Sequence, residues 1–180
     1  MVKKKVRQAK TIEFVLTGGT IDAYFDGIRD AIIPNKHSQI PSFIKSLKLK
    51  EKLVFKELFM KDSRALTLKD LKKISDVIQK SGCEKIIVTH GTYTMDVTAK
   101  FVESRLKQSG KALGKTVVFT GSMIPLIGFS PSDAPFNLGF ALAKVNELPC
   151  GVYVCMNGRV FSAAEAAKIV GEGRFVSVFG

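Results

Sequence analysis

A chain of 180 residues, 46% of them hydrophobic, can bury one continuous core without disulfides or a structural metal. Its net charge of +12 is uneven, with 18 basic against 9 acidic side chains in residues 1–80 and 10 against 7 in residues 81–180. No apolar run reaches the roughly 20 residues of a membrane span. Three cysteines (Cys83, Cys150, Cys155) without a C-x-x-C spacing, and two histidines (His37, His90), support no disulfide framework, zinc site or His-rich metal centre.

The chain starts with a basic stretch, but the apolar part that follows is short and holds Glu13, a poor secretory leader, so a cytoplasmic location is expected. Residues 12–16 (IEFVL) read as the first strand and 53–59 (LVFKELF) as the second. Residues 67–80 form a helix with Leu68, Leu71, Ile74 and Ile78 on one stripe, a Thr67/Asp70 capping box and a stop at Gly82. A third strand at 86–88 leads to a helix over 96–109 with Val97, Phe101 and Val102 on its apolar face and Gly110 at its end. Strands at 116–119 and 152–155 flank a helix over 136–148 ended by Pro149, and Cys155 reads as a core residue. Strands alternating with amphipathic helices predict an α/β class: a doubly wound, mostly parallel sheet in three layers, as a single domain.

That arrangement puts five polar turns at one rim, where open α/β sheets bind ligands. They are TGGT (17–20), MKDS (60–63), HGTYTM (90–95), TGSM (120–123) and MNGR (156–159). TGGT alone is a weak signal, equally a tight turn capped by threonines, and it has neither the dinucleotide fingerprint nor the phosphate-loop lysine. His90, alone near the rim, reads as structural. The turns offer threonine hydroxyls, glycine N–H groups and, further on, Lys168. A hydroxyl activated by a desolvated lysine, beside backbone donors for an oxyanion, suits acyl transfer from an amide or ester.

TGGTID, HGTYTM, TGSM followed by SDAPFNLGFALA, and MNGRVF followed by Lys168 resemble the bacterial-type asparaginase/glutaminase family. The resemblance runs from about Thr11 to about Lys168. It implies the N-terminal active-site domain of a usually two-domain enzyme, so residues 1–180 are expected to be a short, single-domain member without the C-terminal domain. It implies Thr20 as nucleophile, with Tyr24 (rather than Phe25) covering it from a mobile loop. Thr92 and Lys168 become the second threonine and its lysine. Ser63 would hold the substrate carboxylate beside Asp62, Arg64 and Gly91, the Ser122 carbonyl would meet the leaving amide, and the Gly19 and Thr92 N–H groups would face the oxyanion. No metal or organic cofactor is implied.

Two positions depart from the family pattern. Tyr93 stands where the family has an aspartate that receives the substrate ammonium and pairs with the lysine, and Arg64 stands where a small or amide residue is usual. Losing one partner of a buried charge pair costs about 2–5 kcal/mol, roughly thirtyfold to several thousandfold in asparagine turnover. The Tyr93 hydroxyl is expected to reach the pocket. The expected activity is ammonia release from asparagine or a related small amide, weak or shifted in substrate. The alternatives are a non-catalytic ligand-binding relative and an amidotransferase-associated domain. A small-molecule amide and a second copy of the chain, as a dimer or tetramer, are the expected partners. Membranes are not, and nucleic acid is not, since the lysines are not interleaved with aromatics.

Overall fold

The computed structural model describes residues 11–108 and 114–180. The expected helix stop at Gly110 and the basic start of the chain lie outside the described residues. Strand β1 (Ile12–Gly18) leads into a hairpin of β2 (Ala23–Asp26) and β3 (Ala31–Pro34), then into α1 (Ile40–Ser46). The alternating units β4 (Leu53–Lys61), α2 (Leu68–Lys80), β5 (Lys85–Thr89), α3 (Met95–Gln108), β6 (Thr116–Thr120), α4 (Ala134–Glu147) and β7 (Gly151–Met156) follow. Three short strands close the chain: β8 (Arg159–Ser162), β9 (Ala166–Ile169) and β10 (Arg174–Ser177).

The central sheet has the order β4-β1-β5-β6-β7-β8, parallel except for the antiparallel β8. Because side chains alternate along a strand, Val15, Ile86, Val88, Val117 and Phe119 meet Ile74 and Ile78 of α2 and Ala99 and Val102 of α3. Their neighbours Phe14, Leu16, Ile87, Val118 and Cys155 meet Ile40 and Ile44 of α1 and Leu138, Ala141 and Val145 of α4. The result is the three-layer, doubly wound α/β architecture that the sequence implies. Burial on both faces explains the near-continuous apolar strands. It also pushes the Cys155 thiol up to about 12, making it a core residue.

Two helical faces differ from expectation. In α3 the buried stripe is Met95, Thr98, Ala99, Val102 and Leu106, which rotates Val97 outward to 53% exposure. In α2, Ile74 and Ile78 are buried while Leu68, in the first turn, is 59% exposed. Ser81, in extended backbone, ends α2, so the turn does not require Gly82. The β2–β3 hairpin, α1 and the strands after β7 were not anticipated. One signal existed: Asn157 and Gly158 both take positive φ, 55° and 73°, as the two-residue turn of an antiparallel hairpin demands.

Going from β1 the chain places β4 on one side and β5 on the other. The crevice for a ligand therefore opens at the carboxyl ends of β1 and β5, where the winding direction reverses. Next to it, Asp70 ties the end of β4 to the start of α2. Its carboxylate accepts from Lys61 Nζ at 2.8 Å, from the Thr67 N–H at 2.9 Å and from the Thr67 hydroxyl at 2.8 Å. Against the opposing cost of desolvation, these bonds hold Asp70 down at about 2. Among the described residues no helix is long and apolar enough to cross a membrane. Removing the cap with Thr67→Ala should cost about 1 kcal/mol, or roughly 2–4 °C in thermal midpoint. An unchanged midpoint would contradict the role given to this box.

Candidate active site

Backbone contacts fix the rim. Gly18 and Gly19 both have φ of 85°, a region that side chains with a Cβ avoid. A Cβ on Gly18 would sit 2.4 Å from the Lys61 nitrogen, and one on Gly19 would sit 2.4 Å from both Cα and N of Gly91. A Cβ on Gly91 would sit 2.7 Å from Ser63 Oγ. The turns after β1, β4 and β5 thus touch with nothing between them. The Thr94 hydroxyl, donating to the Ser63 carbonyl at 3.0 Å, adds a side-chain strut.

At their junction lies a cleft of about 50 Å³, lined by Gly19, Thr20, Asp62, Ser63, Arg64, Gly91, Thr92 and Tyr93. That is room for a few water molecules. All eight are residues singled out in the sequence. A much larger concavity of about 650 Å³ lies over α2 and β4, where six lysines line it and none of these eight does. Size and chemistry disagree here. The smaller cleft is the better candidate because hydroxyls, a carboxylate and glycine backbone line it at the switch point, and an amine contacts the hydroxyl of its Thr92.

The amine is Lys168, on β9. Its Nζ donates to Thr92 Oγ1 at 2.6 Å, and the same hydroxyl lies 3.6 Å from Met123 Sδ. Burial, and then the positive Arg64 nearby, lower the Lys168 pKa from 10.5. Both effects favour the neutral amine, the form that can take a proton. Thr92 is buried, while Thr20 is only partly so.

Tyr93 is 46% exposed and is not core packing. Its ring faces two cationic side chains: Arg64 Cζ lies 4.6 Å and Lys168 Nζ 4.4 Å from the ring centroid. Arg64 in turn grips Asp62 through Nε at 3.1 Å and Nη2 at 2.7 Å. That pair holds the Asp62 carboxyl below its usual value.

Three further residues named in the sequence lie as follows. Tyr24, 42% exposed on β2, is not among the residues lining the cleft, and it sits in a regular hairpin rather than an irregular loop. Ser122 is buried, its hydroxyl donates to the Ile124 carbonyl, and it is not among the residues lining the cleft. The Gly19 N–H, expected to face an oxyanion, donates to the Lys61 carbonyl at 2.9 Å. The parallel register of β1 and β4 shifts just there, between Leu16 and Gly18, and brings that carbonyl within reach.

Several polar residues of the signature stretches position rather than react. Asp133 accepts from the N–H groups of Met123 and Ile124 and from Asn137 Nδ2. Asn137 also donates to the Gly121 carbonyl at 3.0 Å and accepts from the Asn157 N–H at 3.2 Å. Asn157 Oδ1 accepts from the Phe175 N–H at 3.2 Å, and Phe175 pairs with Lys168 across β9 and β10. A chain of side-chain amides thus runs from the β6 turn to the strand pair that carries the amine. Asp22, buried in TGGTID, accepts from Ser38 Oγ at 2.6 Å and the Gln39 N–H at 2.8 Å, fixing the exit of the β2–β3 hairpin. His90 is fully buried, with Nδ1 2.7 Å from the Gly91 carbonyl. Burial lowers its pKa to about 4, which keeps it neutral and structural.

The family model for the N-terminal part of asparaginase matches residues 11–174. A glutaminase-asparaginase from Acinetobacter glutaminasificans is 34% identical over 127 residues, a match covering 66% of this chain and 37% of that protein. L-asparaginase I from Vibrio cholerae superposes with a TM-score of 0.78 at 26% identity, over 94% of this chain and 52% of that one. A probable cytoplasmic L-asparaginase from Campylobacter jejuni gives 0.73 at 26%, over 93% and 51%. The chain therefore spans about half the length of these solved structures.

The glycine contact gives a stability prediction. Gly19→Ala forces a Cβ into backbone and a left-handed φ on alanine, at a combined cost of about 2–4 kcal/mol. A denaturation midpoint equal to wild type would show that the Gly19–Gly91 approach is not needed.

Proposed function

The chain belongs to the asparaginase family, and we propose on that premise that it hydrolyses the side-chain amide of a small carboxylate, with Thr20 as nucleophile. The observation that carries the reading is the 2.6 Å contact between Lys168 Nζ and Thr92 Oγ1, at a cleft that Thr20 also lines. A hydroxyl is a weak nucleophile until a base takes its proton, and lowering the pKa of an amine below its usual value raises the neutral fraction able to take it.

In the first half-reaction Thr20 Oγ1 bonds to the amide carbon, and its proton passes through the Thr92 hydroxyl to the Lys168 amine. The carbonyl becomes an oxyanion. The Thr92 N–H, which donates to no backbone carbonyl among the described residues, is the proposed donor to it. Collapse re-forms the carbonyl and breaks the C–N bond, and the nitrogen takes the proton back and leaves as ammonia. Water then adds to the Thr20 ester, losing a proton over the same relay. Thr20 leaves as the restored hydroxyl, and a free acid is released. This path assigns no step to Tyr24. We place the reaction in the cytoplasm, in line with the description of the Campylobacter relative and the three unpaired cysteines.

Ammonia release from asparagine, glutamine and amine-free analogues tests the reading. Thr20→Ala should lower kcat/KM by roughly a thousandfold or more, and Lys168→Met by about 10²- to 10⁴-fold. Full activity in Thr20→Ala would sink it. The pH profile supplies a second check. Because Lys168 must be neutral and its pKa is lowered, kcat/KM should rise with pH through a midpoint below 10.5. Removing the Arg64 charge with Arg64→Gln relieves one cause of that lowering, so the limb should move to higher pH. A limb that stays put, or moves down, contradicts the assignment of Lys168 as the base.

A further inference from the structure

The charges around the cleft specify more than a hydrolase. Asp62 is the one carboxylate among the residues lining it, and Arg64 already engages both of its oxygens. The other obvious home for an ammonium is an aromatic ring, and the Tyr93 ring already has the Arg64 guanidinium at 4.6 Å and Lys168 Nζ at 4.4 Å over it. A ligand bearing an ammonium would find no unpaired carboxylate among the lining residues and would face the Arg64 charge. An anionic group fits better. Asp62 is held by Nε and Nη2 of Arg64, so Nη1 remains for a ligand oxygen, and the Arg64 side chain is 62% exposed toward solvent.

We infer that the substrate is a monoamide of a small dicarboxylic acid that carries no charged amine, with Arg64 and Tyr93 setting that preference. This rests on the amidohydrolase reading for its chemistry but not for its selectivity, since binding reports selectivity without turnover. Tyr93 excludes the amine in two ways: it supplies no negative charge, and its ring holds Arg64 and Lys168 beside the cleft. Arg64 is the positioning partner of that ring. Its guanidinium also neutralises Asp62, which would otherwise be free to receive an amine.

Succinamate and asparagine differ only by the α-ammonium, as do their products succinate and aspartate, so they isolate the feature in question. Titration calorimetry on the full chain should show succinate binding at least tenfold more tightly than aspartate. Tyr93→Asp should reverse the order. Arg64→Gln, at an exposed position where folding is not at stake, should narrow the gap by releasing Asp62, and a thermal melt confirms that each variant is folded. Ammonia release should then favour succinamate over asparagine by a similar factor. Aspartate binding as tightly as succinate, or neither binding at millimolar concentration, overturns the inference. Asparagine turned over as fast as succinamate overturns it too and leaves the hydrolase reading standing. The opposite split, a clear succinate preference with no amide hydrolysed, keeps the selectivity assigned to Arg64 and Tyr93 and removes the hydrolase, and with it the monoamide as substrate.

Discussion

The backbone of Gly19 lies against the backbone of Gly91, so close that a single Cβ would overlap two atoms of the opposing residue. The rest of the site follows from that contact. It joins the turns of two neighbouring parallel strands at the point where the winding reverses. It brings the residues that follow, Thr20 and Thr92, to the same cleft. Ser63 closes the third side against Gly91. Main-chain packing does not fluctuate between rotamers, so the hydroxyls rest on a rigid floor.

The walls are built differently. They are charged side chains, partly open to solvent, whose arrangement is set by mutual attraction rather than by packing. Arg64, Asp62, Tyr93 and Lys168 form one linked set in which a ring is the lysine's neighbour. A π face attracts a cation more weakly than a carboxylate does. Burial and the Arg64 charge lower the Lys168 pKa, and the ring beside it offers little to oppose them. In the reaction and selectivity proposed above, Tyr93 bears on both the amine that takes the proton and the ligand charge the cleft accepts.

Much of this was legible in the sequence, and for identifiable reasons. The inner strands β1, β5, β6 and β7 are largely buried on both faces, so their apolar runs stand out. The glycine turns between them are punctuated by hydroxyl residues that recur together in one family. What was not legible depends on distances in space. Nothing local in RVFS, AAKI or RFVS distinguishes a hairpin from a loop, and only the Asn157–Gly158 pair signals a reversal. The spending of the Gly19 N–H on the Lys61 carbonyl needs the register of two strands far apart in sequence. Likewise Tyr93 could be flagged as a missing charge, but not as a ring held between two cations. Asp133, Asn137 and Asn157 carry no assigned role when the sequence is read alone. Only their connection shows that they align the segment bearing the amine.

That segment is a two-stranded ribbon lying outside the main sheet. It is joined to the body by the buried Ala166 and Phe175 and by the Asn157 tether. Short peripheral ribbons detach more readily than the centre of a sheet. Lys168, the proton acceptor of the proposed reaction, thus rides on a part able to peel away while the threonines keep their places. In gentle denaturant its contact with Thr92 would be lost ahead of the bulk helical signal, a built-in fuse at these last strands.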